Sequence, residues 1–196
     1  SGNALGIILL FFISGCIKQD NIKRAEDALE KGNPEEAAKF FKAEISASMS
    51  AGDPTDPRLF LNAGLADLQA GNLQDAEESF QISLDANVDD PIIQAKALNG
   101  LGNIYYLRAN QFLDRRNVAE ARKSWLRSIN HYESSILIDG NDKAKQNLES
   151  LKKQIQERIN ALISKITGKI WRDINGDGKP QKSEPDLQGF VFWDKD

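Results

Sequence analysis

Residues 29–41 read LEKGNPEEAAKFF, and residues 68–80 read LQAGNLQDAEESF. Gly32 aligns with Gly71, Ala37 with Ala76 and Phe41 with Phe80, each pair 39 residues apart. Self-similarity at such a period means stacked supersecondary units, each unable to bury its apolar face alone. The aligned types have physical uses. A glycine followed by asparagine ends one helix and opens the next, because glycine enters a left-handed conformation without a Cβ clash. Alanine and phenylalanine four apart lie on one face of the second helix and fill the space against the first. The fold is therefore expected to be mainly α and built of helical hairpins.

These residues resemble the tetratricopeptide (TPR) repeat, a helix–turn–helix of about 34 residues. In the second unit Phe60 takes the aromatic position of helix A. Gly64 takes the small position that lets the facing helix approach, Gly71-Asn72 the turn, and Ala76 and Phe80 the packing positions of helix B. In the first unit Ala25 stands where the second has Gly64. The residues that lengthen this period beyond that of the family are expected in the loop SAGDPTDP (50–57). In the third unit ALNGLGNIYY (97–106) puts Leu98, Leu101, Gly102 and Tyr105 in the helix A pattern. The matching helix B residues, Ala121 and Trp125, come seven residues late, which predicts two extra turns in both helices. Leu148, Leu151, Ile155, Ile159, Leu162 and Ile166 then form a helical stripe, read as a capping helix whose start Asp142 can cap. All these stripes are expected to be core. The resemblance covers residues 18–166 and predicts a TPR superhelix. The run LGN…Y followed by W…Y…IDGNDKAKQNLE is also similar to TPR proteins of bacterial aerotolerance (Bat) operons.

The resemblance implies binding of an extended peptide or partner helix in the groove lined by helix A. By position in the motif, Arg58, Asn62, Lys96, Asn99 and Asn103 face that groove. Asn62 and Lys96 match two positions of the carboxylate clamp with which some TPR domains hold a chain terminus. Ile22, Glu26 and Gly100 do not match the others. Asn99 and Asn103, one turn apart, can pair with a peptide backbone. A solvated polar face is the alternative reading.

Both ends carry further motifs. ALGIILLFFI (4–13) is shorter than the ~20 apolar residues a membrane-spanning helix needs, and has the length of a signal-peptide apolar region. ISGC (13–16) resembles the bacterial lipobox. That implies cleavage before Cys16, with lipid on its sulfur and on its new amine, and two or more acyl chains anchor stably. Ile17 resembles an outer-membrane address. A short buried helix with a free cysteine is the alternative.

DINGDGKPQKSE (173–184) meets the calcium-loop pattern D-x-[DN]-x-[DN]-G-x5-E in full. Asp173, Asn175 and Asp177 stand at its first three ligand positions, and Gly178 permits the sharp turn. Lys179 offers its carbonyl, Gln181 acts directly or through water, and Glu184 closes the site with two oxygens. Calcium takes about six to eight hard oxygen ligands. Pro180, Pro185 and the β-branched and aromatic flanks favour strands over the helices of an EF-hand. The run GKIWRDINGDGKPQKSEPDLQGFVFW (168–193) resembles the opening of SdrD B-type repeats, calcium-binding β-sandwich modules of bacterial surface proteins. A solvated acidic turn is the alternative.

Composition bounds the function. Of 196 residues, 40% are apolar and 28% charged, as in soluble globular proteins. The net charge is −4 and cations are interleaved with acids, which argues against nucleic acid as a partner. One cysteine makes no internal disulfide, and the single histidine, His131, has no nucleophile pattern beside it, so no catalytic role is expected. The expected organisation is an incomplete lipoprotein signal peptide (1–15), a TPR-like domain with its cap (16–166) and the start of a calcium-binding β-module (167–196), both ends reading as parts of a longer protein. The expected function is an exported interaction scaffold, anchored by lipid in the bacterial cell envelope at the outer membrane or periplasmic face. The alternatives are a TPR subunit of a Bat-type membrane complex, with the long third hairpin docked on a partner, and the non-catalytic part of a larger enzyme.

Overall fold

A computed structural model describes residues 20–86 and 90–167, and all the elements among them are helices. They are α1 (20–30), α2 (Pro34–Ala51), α3 (Pro57–Ala70), α4 (Leu73–Asp85), α5 (Pro91–Asp114), α6 (Val118–Asp139) and α7 (Asp142–Thr167). The hairpins are α1/α2, α3/α4 and α5/α6, as the repeats predict. Packing joins α2 to α3, α4 to α5 and α3 to α5, so each hairpin stacks on the next. Two units divide the chain after Leu148; the first holds α1 to α6 and the first turns of α7. The lipobox with Cys16 and the calcium loop lie outside the described residues.

Local chemistry explains the ends of the helices. Pro34, Pro57 and Pro91 open α2, α3 and α5, where a missing N–H leaves no helical bond unmade. Asp56 accepts from the Arg58 N–H at 2.9 Å, and Asp90 from Ile92 and Ile93 at 3.0 and 3.2 Å. The expected cap of α7 is displaced by one residue. Asp142 is already helical and pairs with Lys145, while Asn141 Oδ1 accepts from the Ala144 N–H at 3.2 Å.

The turns inside the hairpins share one geometry. Gly32 and Gly71 have φ of +74° and +82°. Beyond them, the N–H of Asn33 reaches back to Ala28 O and that of Asn72 to Asp67 O, both at 2.8 Å, satisfying helix-end carbonyls in a Schellman arrangement. The third hairpin repeats it with Asn117 and Phe112 O, also 2.8 Å, but the residue at φ +59° is Arg116. A left-handed non-glycine residue costs about 1–2 kcal/mol.

The extra residues of the first repeat are not in its loop. Five residues separate α2 from α3 and five separate α4 from α5, whereas α2 has 18 residues and α4 has 13. Ser50 and Ala51 extend α2, which ends only where Gly52 turns to φ +72°.

The third hairpin is two turns longer towards its tip in both helices, as expected. From Gly64 to the left-handed Gly71 is seven residues; from Gly102 to Arg116 is fourteen. The aromatic ring facing the glycine is consequently not Trp125. A Cβ on Gly64 would lie 2.8 Å from the Phe80 ring, and one on Gly102 would lie 2.4 Å from the Tyr132 ring. Tyr132 comes seven residues after Trp125, since extending both helices at the turn moves the contact along α6 by the same two turns. Ser83 Oγ donates to Pro57 O, and Ser135, at the same offset from its aromatic residue, donates to Ala95 O. Ser128 takes the place of Ala76, its hydroxyl donating to Gly102 O at 2.8 Å.

The apolar core follows this register. Phe41 is buried with Ala25, Ala37, Leu59 and Ala63, and Phe80 with Leu61, Ala76, Ala97 and Leu101. The stripe of α7 is buried at Leu148 and Leu151, but Ile159 is 43% exposed, so the stripe is not core throughout.

Gly102→Ala is expected to destabilise the protein. Overpacking against Tyr132 costs about 1–3 kcal/mol, and the better helix propensity of alanine returns about 1 kcal/mol. Tyr132→Leu in the same chain should recover most of the loss, read from urea unfolding midpoints.

Candidate partner-binding face

Arg58 and Lys96 occupy equivalent positions, one in the first turns of α3 and one in the first turns of α5, and both are exposed. Arg58 lies 3.8 Å from Asp56, the acid that caps its own helix. Asn62, one turn after Arg58, is half-buried. Packing of α3 on α5 puts these residues on neighbouring first helices of successive hairpins.

Asn99 and Asn103 lie on α5 as expected, and α7 reaches both. Asn147 Nδ2 donates to Asn99 Oδ1 at 2.9 Å and to Asn103 Oδ1 at 3.1 Å. The Tyr132 hydroxyl donates to the same Asn103 oxygen at 2.7 Å. Burial pushes the Tyr132 phenol up to about 12, so it stays a donor at any physiological pH. The oxygens of both asparagines are thus used inside the fold, and a peptide would meet their amide hydrogens.

Gly100, where a carboxylate clamp has a cation, faces the interior. A Cβ there would lie 2.4 Å from the Phe80 ring. A lysine or arginine at this position would displace the ring that joins hairpins two and three. Packing therefore accounts for the missing cation at position 100, whereas Glu26, which also departs from the clamp, is exposed.

Sequence reading missed two polar joints, each between the second helix of one hairpin and the next hairpin. In the first, Lys42 of α2 sits 2.9 Å from Asp67 of α3 and 2.7 Å from Asp75 of α4. Asp67 is 1% exposed, and its buried Oδ2 is held by the lysine charge rather than by a directed hydrogen bond. Burial pulls the Lys42 ammonium down, but Asp75 and Asp67 outweigh it and hold it above the ordinary lysine value.

In the second joint Tyr105 takes the position of Asp67, 38 residues on. Its hydroxyl donates to Glu77 of α4 at 2.5 Å, and Arg108 pairs with the other Glu77 oxygen at 2.6 Å. Burial pushes the Glu77 carboxyl up, yet Arg108 and Tyr105 bring it below the usual carboxylate value. The guanidinium groups of Arg108 and Arg127 each lie 5.4 Å from the Tyr105 ring centre. His131 of α6 stacks on Tyr105, with centroids 5.3 Å apart and planes at 7°. The lone histidine thus serves a helix joint. The signal for both joints was a polar residue at one helix A position in successive repeats.

Among the described residues, no group of three His, Cys, Asp or Glu is placed to hold a metal ion, and no helix is long and apolar enough to cross a membrane. Burial lowers the His131 pKa, with Arg127 adding to it and Glu77 opposing. The unfolded chain, with a histidine pKa of about 6.5, therefore takes up the proton first as pH falls. His131 contributes stability that is full above about pH 6.5 and lost as pH drops through the lower folded value. Between about pH 7.5 and 5.5 the wild type should lose more stability than His131→Phe, which keeps the stack without the titration; parallel urea titrations compare the two.

No protein-family model matches the chain, and comparison with curated proteins gives no match. Solved structures share its fold. The second TPR domain of human RPAP3, determined by NMR in complex with the HSP70 peptide SGPTIEEVD, is 18% identical; the match covers 71% of this chain and 98% of that one, with a TM-score of 0.51. The Sgt2 TPR domain from Aspergillus fumigatus is 19% identical over 73% of this chain and 82% of that one, with a TM-score of 0.53. The helical hairpins therefore have the TPR fold.

Proposed function

We propose that the stacked hairpins are a protein-interaction module that holds an extended segment of a partner along the α3–α5 face. The observation that carries this reading is the pair of exposed cations, Arg58 and Lys96, at one register on neighbouring helices. Asn62 beside them, and the amide hydrogens of Asn99 and Asn103, supply donors for backbone carbonyls. Cations and donors without acids at the same positions suit a segment that carries carboxylates. The RPAP3 domain of like fold holds a peptide with two adjacent glutamates and a final aspartate, which agrees with that chemistry.

Arg58 and Lys96 make the cleaner probe, because truncating Asn99 or Asn103 also removes a contact with Asn147. The full chain should bind an extended acidic peptide, and Arg58→Glu with Lys96→Glu should weaken it about tenfold or more at unchanged helicity. Unchanged affinity in fluorescence anisotropy would refute the reading.

The proposed setting is the bacterial cell envelope, and it rests on sequence alone. Cys16 in the lipobox would carry the anchor, and the loop Asp173–Glu184 would bind calcium outside the cytoplasm. Titration calorimetry should show calcium heat at millimolar concentration or below, lost in Asp173→Ala. Failure to see any heat would remove the calcium part and leave the peptide face untouched.

A further inference from the structure

The two-turn extension of the third hairpin carries the turn at 115–117 about 10 Å beyond the point where the other hairpins end. It has an interior of its own, with Ala109, Ala121 and Ser124 buried between its helices. At its tip Arg115, Arg116 and Arg122 are exposed, and none makes an ion pair among the described residues. The acids there are Asp114, exposed, and Glu120, which is taken by Lys123 at 2.6 Å. Cations thus outnumber the acids left open at the tip.

A second feature continues from the tip along α6. Val118, Leu126 and Leu137 are 63%, 53% and 87% exposed. With Arg122 between the first two, their spacings of eight and eleven residues put them on one outer face of the helix. Glu133, the acid on that face, is already engaged within the chain. The third observation is Arg116 itself. Its two counterparts are glycines, and only this hairpin puts an arginine in the strained left-handed position. Strain of this kind persists where a side chain is kept for another purpose.

We infer that the third hairpin is a docking arm for an amphipathic, acidic helix of another protein. Leucine-type side chains of that helix would cover Val118, Leu126 and Leu137, and its carboxylates would meet Arg115, Arg116 and Arg122. Asp114 and Glu120, interleaved with the cations, count against a uniformly anionic membrane or a phosphate backbone as the occupant, since both would repel them. This arm lies on α6 and the tip of α5, apart from Arg58 and Lys96, and does not rest on the peptide-face reading.

The probe is a labelled synthetic helix with leucines on one face and glutamates on the other, titrated against the full chain by fluorescence anisotropy. Its glutamine analogue, phosphatidylglycerol vesicles and duplex DNA are the comparison arms. The glutamate helix should bind at least about tenfold more tightly than its glutamine analogue. Arg115→Glu, Arg116→Glu and Arg122→Glu together should abolish that preference, and Leu126→Asp alone should weaken binding, whereas Arg58→Glu with Lys96→Glu should leave it intact. Arg116→Gly is the variant that cannot fail by unfolding: its melting temperature should rise while its affinity for the glutamate helix falls. Equal binding by wild type and the triple variant, no binding of the glutamate helix, or tighter binding of vesicles or DNA would overturn the proposal.

Discussion

The stacking of hairpins two and three depends on one aromatic ring. Phe80 is fully buried and lies against two glycines, Gly64 of its own hairpin and Gly100 of the next, where added Cβ atoms would come within 2.8 and 2.4 Å. Helices can approach this closely only where a side chain is absent on one of them. The same arrangement holds the third hairpin, where Tyr132 fills the notch at Gly102 and adds a hydrogen bond to Asn103. Position 100 is thereby closed to a cation, so the packing that builds the stack also shapes the chemistry of its first-helix face.

Polar groups finish what the rings begin. Ser83, Ser128 and Ser135 donate to carbonyls of the facing helix, which keeps buried hydroxyls satisfied and sets the sliding register of hairpins two and three. Between hairpins, Asp67 and Tyr105 occupy one repeat position and recruit opposite partners, a lysine in one case and a glutamate with arginines in the other. Stacked repeats gain their stability from such nearest-neighbour contacts, so charge can be exchanged between joints without altering the fold. Each joint ties a second helix to the first helix of the next hairpin through Asp67, Tyr105 and Arg108, residues other than those of the proposed peptide face.

Much of the architecture was legible in the residues. The 39-residue period, the Gly-Asn turns and the seven-residue delay in the third unit foretold three hairpins, a long last pair and a further helix. Three details were not. The extra residues of the first repeat lengthen α2 because alanine and serine propagate a helix until a glycine stops it. The aromatic partner of Gly102 is Tyr132 rather than Trp125, because spacing along one helix cannot say which residue of another it will meet. The stripe of α7 identified a helix, but periodicity does not say how much of the stripe is buried.

The sequence by itself determined the number of helices and the places where they turn, since turns need residues with particular backbone freedom and stripes need a 3.6-residue period. It also placed Arg58, Asn62, Lys96, Asn99 and Asn103 on first helices, because repeat position sets helix face. Only the tertiary structure decided which of them keep free hydrogen-bonding groups. Asn99 and Asn103 give their oxygens to Asn147, 48 and 44 residues away, whereas Arg58 and Lys96 stay exposed. The reason is distance along the chain: contacts between residues so far apart follow from how whole helices seat on one another, and no local pattern carries that information.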